Sequence, residues 1–298
     1  MTNLVSDSPR QLADDISVGP LGYGCWRLIN MSVGDARGCI EAALDHGMNL
    51  IDTADVYGLD WGGTAFGSGE ELLGQVLNDA PALRDRMVLA SKGGIIPGVP
   101  YDSAYLETAC EASLQRLGVE QLDLYLIHRP DMLTHPEETA RVLQNLKQSG
   151  KVRTLGVSNY LPSQTEALMS YLPGEIVCQQ PEFSALHLDP LFDGTFDQCM
   201  QHKQLVMAWS PLAGGKLATS QDVPAALVEV LQSLAEREGV DQATISLAFV
   251  LAHPAKPVAL VGSIDRDRIA QAKQALDVTL ERKDVYQIIE ASMGESLP

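Results

Sequence analysis

A closed (β/α)8 TIM barrel is the fold that this sequence predicts, and three observations carry the prediction. First, short apolar runs begin near Leu21, Asn49, Met87, Leu122, Thr154, Ile176, Leu205 and Val258, with segments of helical period between them. Several are rich in Val, Leu and Ile, as strands covered on both faces should be. Second, these units occupy most of the 298 residues, and a barrel of this kind needs roughly 250. Third, the first unit, Gly22-Tyr-Gly24-Cys-Trp-Arg, lacks the last glycine of G-x-G-x-x-G, and no G-x-x-x-x-G-K-[ST] loop occurs. Both absences count against an open doubly wound sheet.

Taken in order, residues 1–17 read as an N-terminal extension, about 18–275 as the barrel core and about 283–293 as a C-terminal helix, so 1–298 is expected to be one domain. Helix starts are expected at Ser68, Thr134 and Ser163, each followed three residues later by Glu71, Glu137 or Glu166, which is the capping-box spacing. A helix over 103–117 places Leu106, Cys110, Leu114 and Leu117 on one stripe and stops at Gly118. Two connections are long, 58–69 after the second strand and 210–224 after the seventh, where an extra helix follows at about 225–237. Both leave the C-terminal strand ends, the face on which barrels build their sites.

Composition narrows the function. Apolar residues make up 45% and charged residues 20%, as in a folded soluble domain. The net charge of −18 argues against nucleic acid as a partner, because it repels phosphate backbones; solubility, or adaptation to a salty or acidic habitat, accounts for the acidity most simply. The five cysteines are odd in number and contain no C-x-x-C pair, so reduced thiols in the cytoplasm are expected and no metal site is. The N-terminus carries acids and no apolar h-region, and no apolar run reaches the roughly 20 residues of a membrane span, so neither a signal peptide nor a membrane partner is expected.

Four polar residues stand where strands run out. Asp52, Lys92 and His128 close three consecutive apolar runs, and Tyr57 lies in the loop after Asp52. Alone, each has a plain reading: a helix cap, a solvated ammonium, a structural imidazole. In a barrel, the ends of strands two, three and four open into the same mouth. An unperturbed phenol titrates at about 10, too high for an efficient acid near neutrality. Lys92 is expected to stabilise the Tyr57 phenolate and lower that value, with Asp52 keeping Lys92 charged and His128 orienting a substrate oxygen. Such a site protonates an oxygen as negative charge grows on it, which suits carbonyl reduction by a hydride-bearing cofactor.

The stretch IDTADVYG at 51–58, followed by LASKGG, DLYLIHRPD and LGVSN, resembles the aldo-keto reductases, and the resemblance runs from LGYGCW to VGSIDRDRI. It implies a (β/α)8 barrel, NADPH (NADP+) as cofactor, Tyr57 as general acid, Asp52 and Lys92 as its supporting pair and His128 as the orienting group. It further implies that Ser158, Asn159 and Gln180 bind the nicotinamide carboxamide and that Trp209 stacks on the ring; core packing is the plain alternative for Trp209. Gly24, Cys25 and Trp26 match the first loop over the cofactor. Ser210, Leu212 and Gly214 match the stretch over the pyrophosphate, where small residues let backbone N–H groups approach. Gly262 and Ser263 stand where many members carry a lysine for the 2′-phosphate, Arg268 matches a second ligand of that phosphate, and Arg266 is an additional one. Trp26, Trp61 and Phe66 are expected to wall the substrate pocket.

The function expected is therefore reduction of a small aldehyde or ketone by NADPH, in a monomer or weak homo-oligomer. Two alternatives stay open. One is an NADP(H)-binding redox-sensing subunit with little turnover; the other is a barrel lyase in which Lys92 forms a Schiff base.

Overall fold

In the computed structural model, which describes residues 2–59, 65–95 and 103–297, eight parallel strands close into a barrel: β3 (Leu21–Gly24), β4 (Leu50–Asp52), β5 (Val88–Gly93), β6 (Leu122–Ile127), β7 (Val152–Ser158), β8 (Ile176–Gln180), β9 (Leu205–Ala208) and β10 (Val258–Val261). Neighbours in sequence are neighbours in the sheet, and β10 returns to pair with β3 through Leu260 opposite Gly22. The alternating residues of a strand divide between the two faces. Leu50, Ala90, Leu124, Met207 and Val258 pack together inside the barrel, while Ile51, Leu89, Tyr125 and Val157 join the larger core beneath the helices. A Cβ at Gly22 would come within 2.9 Å of the Leu260 side chain, so the inward layer requires glycine there.

The helices are α1 (Val33–Asp45), α2 (Ser68–Asp79), α3 (Ser103–Leu117), α4 (Pro136–Gln148), α5 (Pro162–Met169), α6 (Thr195–His202), the short α7 (Lys216–Thr219), α8 (Ala225–Glu238), α9 (Gln242–Leu251), α10 (Arg266–Ala272) and α11 (Arg282–Met293). The extra helix expected after the seventh barrel strand is α8, and the expected C-terminal helix is α11. All three expected capping boxes are corrected. Ser68 is the first residue of α2, whose cap is Gly67 at φ 85°. Pro136 and Pro162 open α4 and α5, because proline suits the first helical position, and so the caps fall on His135, one residue after Thr134, and on Leu161, two residues before Ser163.

The segment expected to be a plain extension contains an antiparallel hairpin, β1 (Arg10–Ala13) and β2 (Ile16–Val18). Its Leu12, Ile16 and Val18 join the inward cluster with Leu50, Leu205 and Val258, so the hairpin seals the barrel floor. Arg10 Nε fixes it by donating to the Lys256 carbonyl at 2.9 Å. With that end plugged, the cleft lies at the C-terminal face, among the ends of the strands.

Candidate active site

The end of β4 brings Asp52 to the barrel mouth, and the end of β5 brings Lys92 beside it. Lys92 Nζ donates to Asp52 Oδ2 at 2.7 Å and to the Thr53 carbonyl at 2.7 Å, with both side chains almost fully buried. Gln180 Nε2 donates to Asp52 Oδ1 at 3.1 Å, so both carboxylate oxygens are satisfied. Tyr57 sits in the turn after β4. Its hydroxyl interacts with the Lys92 ammonium, whose nitrogen lies 4.9 Å from the ring centroid. His128 follows β6 and packs edge-on against Tyr57 at 6.0 Å between centroids. Gly58 makes the turn possible, since its φ is 117° and a Cβ there would overlap the Ser68 hydroxyl.

Electrostatics give these groups distinct protonation states. Burial pushes the Tyr57 hydroxyl up to about 12; Lys92 opposes the rise and Asp52 adds to it. Lys92 lowers the value as expected, but desolvation outweighs an ammonium already paired with Asp52, so the net shift is upward. Burial pulls Lys92 down, but Asp52 and Tyr57 hold it up at about 12, so it stays charged. His128 is held well below the ordinary histidine range by burial and then by Lys92 and Arg129, which leaves a neutral ring at pH 7. Its Nδ1 is buried without a hydrogen-bond partner.

A cleft of about 800 Å³ runs from this cluster along the barrel mouth, a volume typical of small-molecule sites. Its near end is lined by Asp52, Tyr57, His128, Ser158, Gln180 and Trp209, and its far end by Ser263, Arg268 and Gln271. Residues 20–292 match the aldo/keto reductase family. The chain belongs to the aldo/keto reductase family. Over 97% of both chains it is 45% identical to a 6-dehydroglucose reductase of Novosphingobium aromaticivorans. It is 34% identical to a 6-dehydroglucose reductase of Agrobacterium fabrum, over 96% of this chain and 98% of the relative. An aldo-keto reductase of Klebsiella pneumoniae solved with NADPH has 27% identity and a TM-score of 0.78, covering 97% of this chain and 94% of that one. Aldo/keto reductases draw hydride from NADP(H), and this family member is accordingly an NADP(H)-dependent oxidoreductase of carbonyl groups.

The remaining expected positions divide into three groups. Gly24, Trp26, Asn159, Ser210, Leu212, Gly214 and Gly262 line the cleft with those named above. Within it Asn159, at φ 58°, donates from Nδ2 to the His128 carbonyl and the Ser158 hydroxyl, each at 3.0 Å, and accepts from Trp209 Nε1 at 3.1 Å. That last bond makes Trp209 a fixed cleft wall rather than a core filler. In the loop after β9 the backbone is left-handed at Ser210, Ala213, Gly214 and Gly215. Several of its donors are already used: Gly214 N–H bonds the Ser210 hydroxyl at 2.9 Å, and Gly215 N–H bonds the Leu212 carbonyl at 2.9 Å.

The second group faces elsewhere. The Cys25 side chain is 1% exposed and packs in the outer core, and Cys25 is not among the residues that line the cleft. Arg266 reaches back over Gly38 of α1 and lies 3.9 Å from Asp35, away from the cleft where it was expected. Phe66 sits under the Arg116 guanidinium at 5.9 Å rather than in the cleft wall. The third group is Trp61, which lies outside the described residues.

Two cleft arginines escaped the sequence reading. Arg27 donates from Nη2 to the Gly214 carbonyl at 3.0 Å and from Nη1 to the Gly262 carbonyl at 3.2 Å, placing a cation midway along the cleft. Arg129 lines the mouth beside His128. Each is a lone arginine next to an expected site residue in an acidic chain, which is the signal that would have found it.

Proposed function

We propose that this family member reduces an aldehyde or ketone to an alcohol with NADPH, and that Tyr57 supplies the proton to the carbonyl oxygen. The observation that carries the reading is the buried ammonium of Lys92, pinned between Asp52 and the Thr53 carbonyl and set against Tyr57 at the inner end of the cleft. The dinucleotide fits the residues present: the cleft has the size, Trp209 offers a ring face, Arg27 and Arg268 offer cations along its length, and His128 Nδ1 has no hydrogen-bond partner among the described residues. When bound, NADPH supplies the hydride.

The chain's own residues do the rest. With its hydroxyl held at about 12, Tyr57 keeps its proton at neutral pH. As charge grows on the carbonyl oxygen, that oxygen becomes more basic than the phenol, and the proton passes to it. Lys92 stabilises the phenolate left behind, Asp52 holds Lys92 in place, and neutral His128 donates a hydrogen bond that orients the oxygen. Ser158, Asn159, Gln180 and Trp209 position the nicotinamide. Gly24, Trp26, Ser210, Leu212, Gly214, Gly262, Ser263 and Arg268 hold the remainder of the nucleotide. A Schiff-base lyase needs a neutral amine, and a lysine held at about 12 between two acceptors does not supply one.

A sugar aldehyde is the first substrate to try, given the 6-dehydroglucose reductase at 45% identity. The protein acts in the cytoplasm as a monomer or weak homo-oligomer; five free, buried cysteines support the reducing compartment. NADPH oxidation with a six-carbon sugar bearing a C6 aldehyde, nitrobenzaldehyde, methylglyoxal and diacetyl tests the proposal. Turnover of at least one compound is expected. Bound NADPH with no oxidation on any of them would favour the redox-sensing subunit.

A further inference from the structure

Behind the turn that carries Tyr57 lies a second buried ionic cluster, which the proposed proton transfer does not use. Asp55 and Glu70 are both 0% exposed. Glu70 is fully paired: Arg116 approaches its Oε2 at 2.7 Å, and the Ser91 hydroxyl donates to its Oε1. Asp55 is not. Its Oδ2 accepts from the Tyr105 hydroxyl at 3.0 Å, its Oδ1 is buried with no hydrogen-bond partner, and no ion pair reaches it among the described residues. Two buried carboxylates thus stand near one guanidinium, which pairs with Glu70, and such a cluster retains a proton.

The same residues hold the turn. Asp55 N–H donates to the Lys92 carbonyl at 3.0 Å, and Gly69 N–H, next to Glu70, donates to the Tyr57 carbonyl at 2.9 Å. Ser91, which bonds Glu70, adjoins Lys92. We infer that Asp55 is a positioning residue for Tyr57, and that loss of the proton it keeps beside Glu70 loosens the turn and slows the reaction. This inference rests on the reading of Tyr57 as proton donor.

Charge balance around Asp55 supports it. Burial, then the like charge of Glu70, pushes the Asp55 carboxyl up to about 7, against the Tyr105 hydroxyl, Arg116 and the Val56 N–H. Among the described residues, the groups facing it are Glu70 from α2, Tyr105 and Arg116 from α3, and Tyr125 from β6, whose hydroxyl burial holds well above the ordinary range and so uncharged. From β5 the Lys92 carbonyl accepts the Asp55 N–H, while the Lys92 ammonium turns to Asp52. A protonated Asp55 leaves its unpartnered oxygen uncharged. An ionised one sets two buried anions against each other next to Tyr57.

The test is the pH profile of kcat with a non-titrating aldehyde. The wild type should lose about tenfold or more between pH 6.5 and 8.5, since displacing a reacting group by an ångström costs on that order. Tyr57 and Lys92 at about 12 and His128 far below its ordinary range have no titration in that window. Asp55→Asn, which cannot ionise, should give a pH 8.5 to pH 6.5 ratio near one, with cofactor affinity following the wild type at both values. Tyr105→Phe removes a hydroxyl that favours the ionised form, so its alkaline limb should move to higher pH; this variant decides the matter if Asp55→Asn folds poorly. A limb unchanged in both variants, or no wild-type limb, overturns the inference.

Unfolding measurements separate this idea from the reductase reading. The folded value lies above the unfolded one, so the native state holds an extra proton between about pH 4 and 7. Wild-type stability relative to Asp55→Asn should therefore fall as pH rises through that window and level off above it. A constant difference would overturn the role of Asp55 even in a protein with no measurable turnover.

Discussion

Replacing Lys92 with Met removes the cation of a buried ion pair and leaves the carboxylate in place. The pair is 2.7 Å long with side chains 1% and 3% exposed, so water cannot take over the lost interaction. Asp52 would retain only the Gln180 amide at 3.1 Å, and the Thr53 carbonyl would lose its donor at 2.7 Å. Breaking a buried pair from one side costs about 3–5 kcal/mol, most of it from the stranded charge. Methionine keeps much of the lysine volume, so a cavity adds little. Asp52→Asn in the same background removes the stranded charge and should recover much of the loss, giving a coupling of at least ~2 kcal/mol in a double-mutant cycle. Urea unfolding of the wild type, both single variants and the double variant at pH 7 reads this directly. A Lys92→Met cost below about 1 kcal/mol, or costs that simply add, would show that the ammonium is solvated and not pinned.

Three further outcomes follow from the same geometry. Leu12→Ala should cost about 2–5 kcal/mol in urea unfolding, because Leu12, 3% exposed, seals the barrel floor; a cost under about 1 kcal/mol would mean that the hairpin is no plug. Arg268 lines the cleft and, among the described residues, its side chain is ion-paired to Asp265 at 3.7 Å, so Arg268→Ala should weaken NADPH binding about 10- to 100-fold and NADH binding by no more than about twofold in fluorescence titrations; equal losses would place the 2′-phosphate elsewhere. Burial lowers His253 to about 4, with Asp197 opposing. The unfolded chain therefore takes up that proton first, and stability falls as pH drops from about 6.5 towards 4. Thermal unfolding of His253→Gln should show a shallower acid decline, and identical slopes would refute the burial argument.

The parts legible in the sequence are those whose signal is local. Strands covered on both faces read as unbroken apolar runs, and Asp52, Lys92 and His128 stand out because each ends one. The hairpin at 10–18 was not legible, since two very short strands hold too few residues for a period-two pattern and owe their order to the barrel floor. Helix caps were misplaced where Pro136 and Pro162 shifted the first turn. Phe66 and Arg266 were assigned to the cleft by proximity in sequence, yet Arg116 and α1 draw them away. Arg27 depends on carbonyls at 214 and 262, which only the closed barrel brings near. The net shift on Tyr57 was missed because a motif names the ammonium but not the depth of burial.

Tyr57→Phe tests the central claim most directly, because it removes one hydroxyl and keeps the ring beside Lys92. General acids contribute about 10²- to 10⁴-fold, so kcat for carbonyl reduction should fall by at least about a hundredfold while NADPH affinity stays within about threefold. A variant that turns over within about tenfold of the wild type would contradict the assignment of Tyr57 as the proton donor.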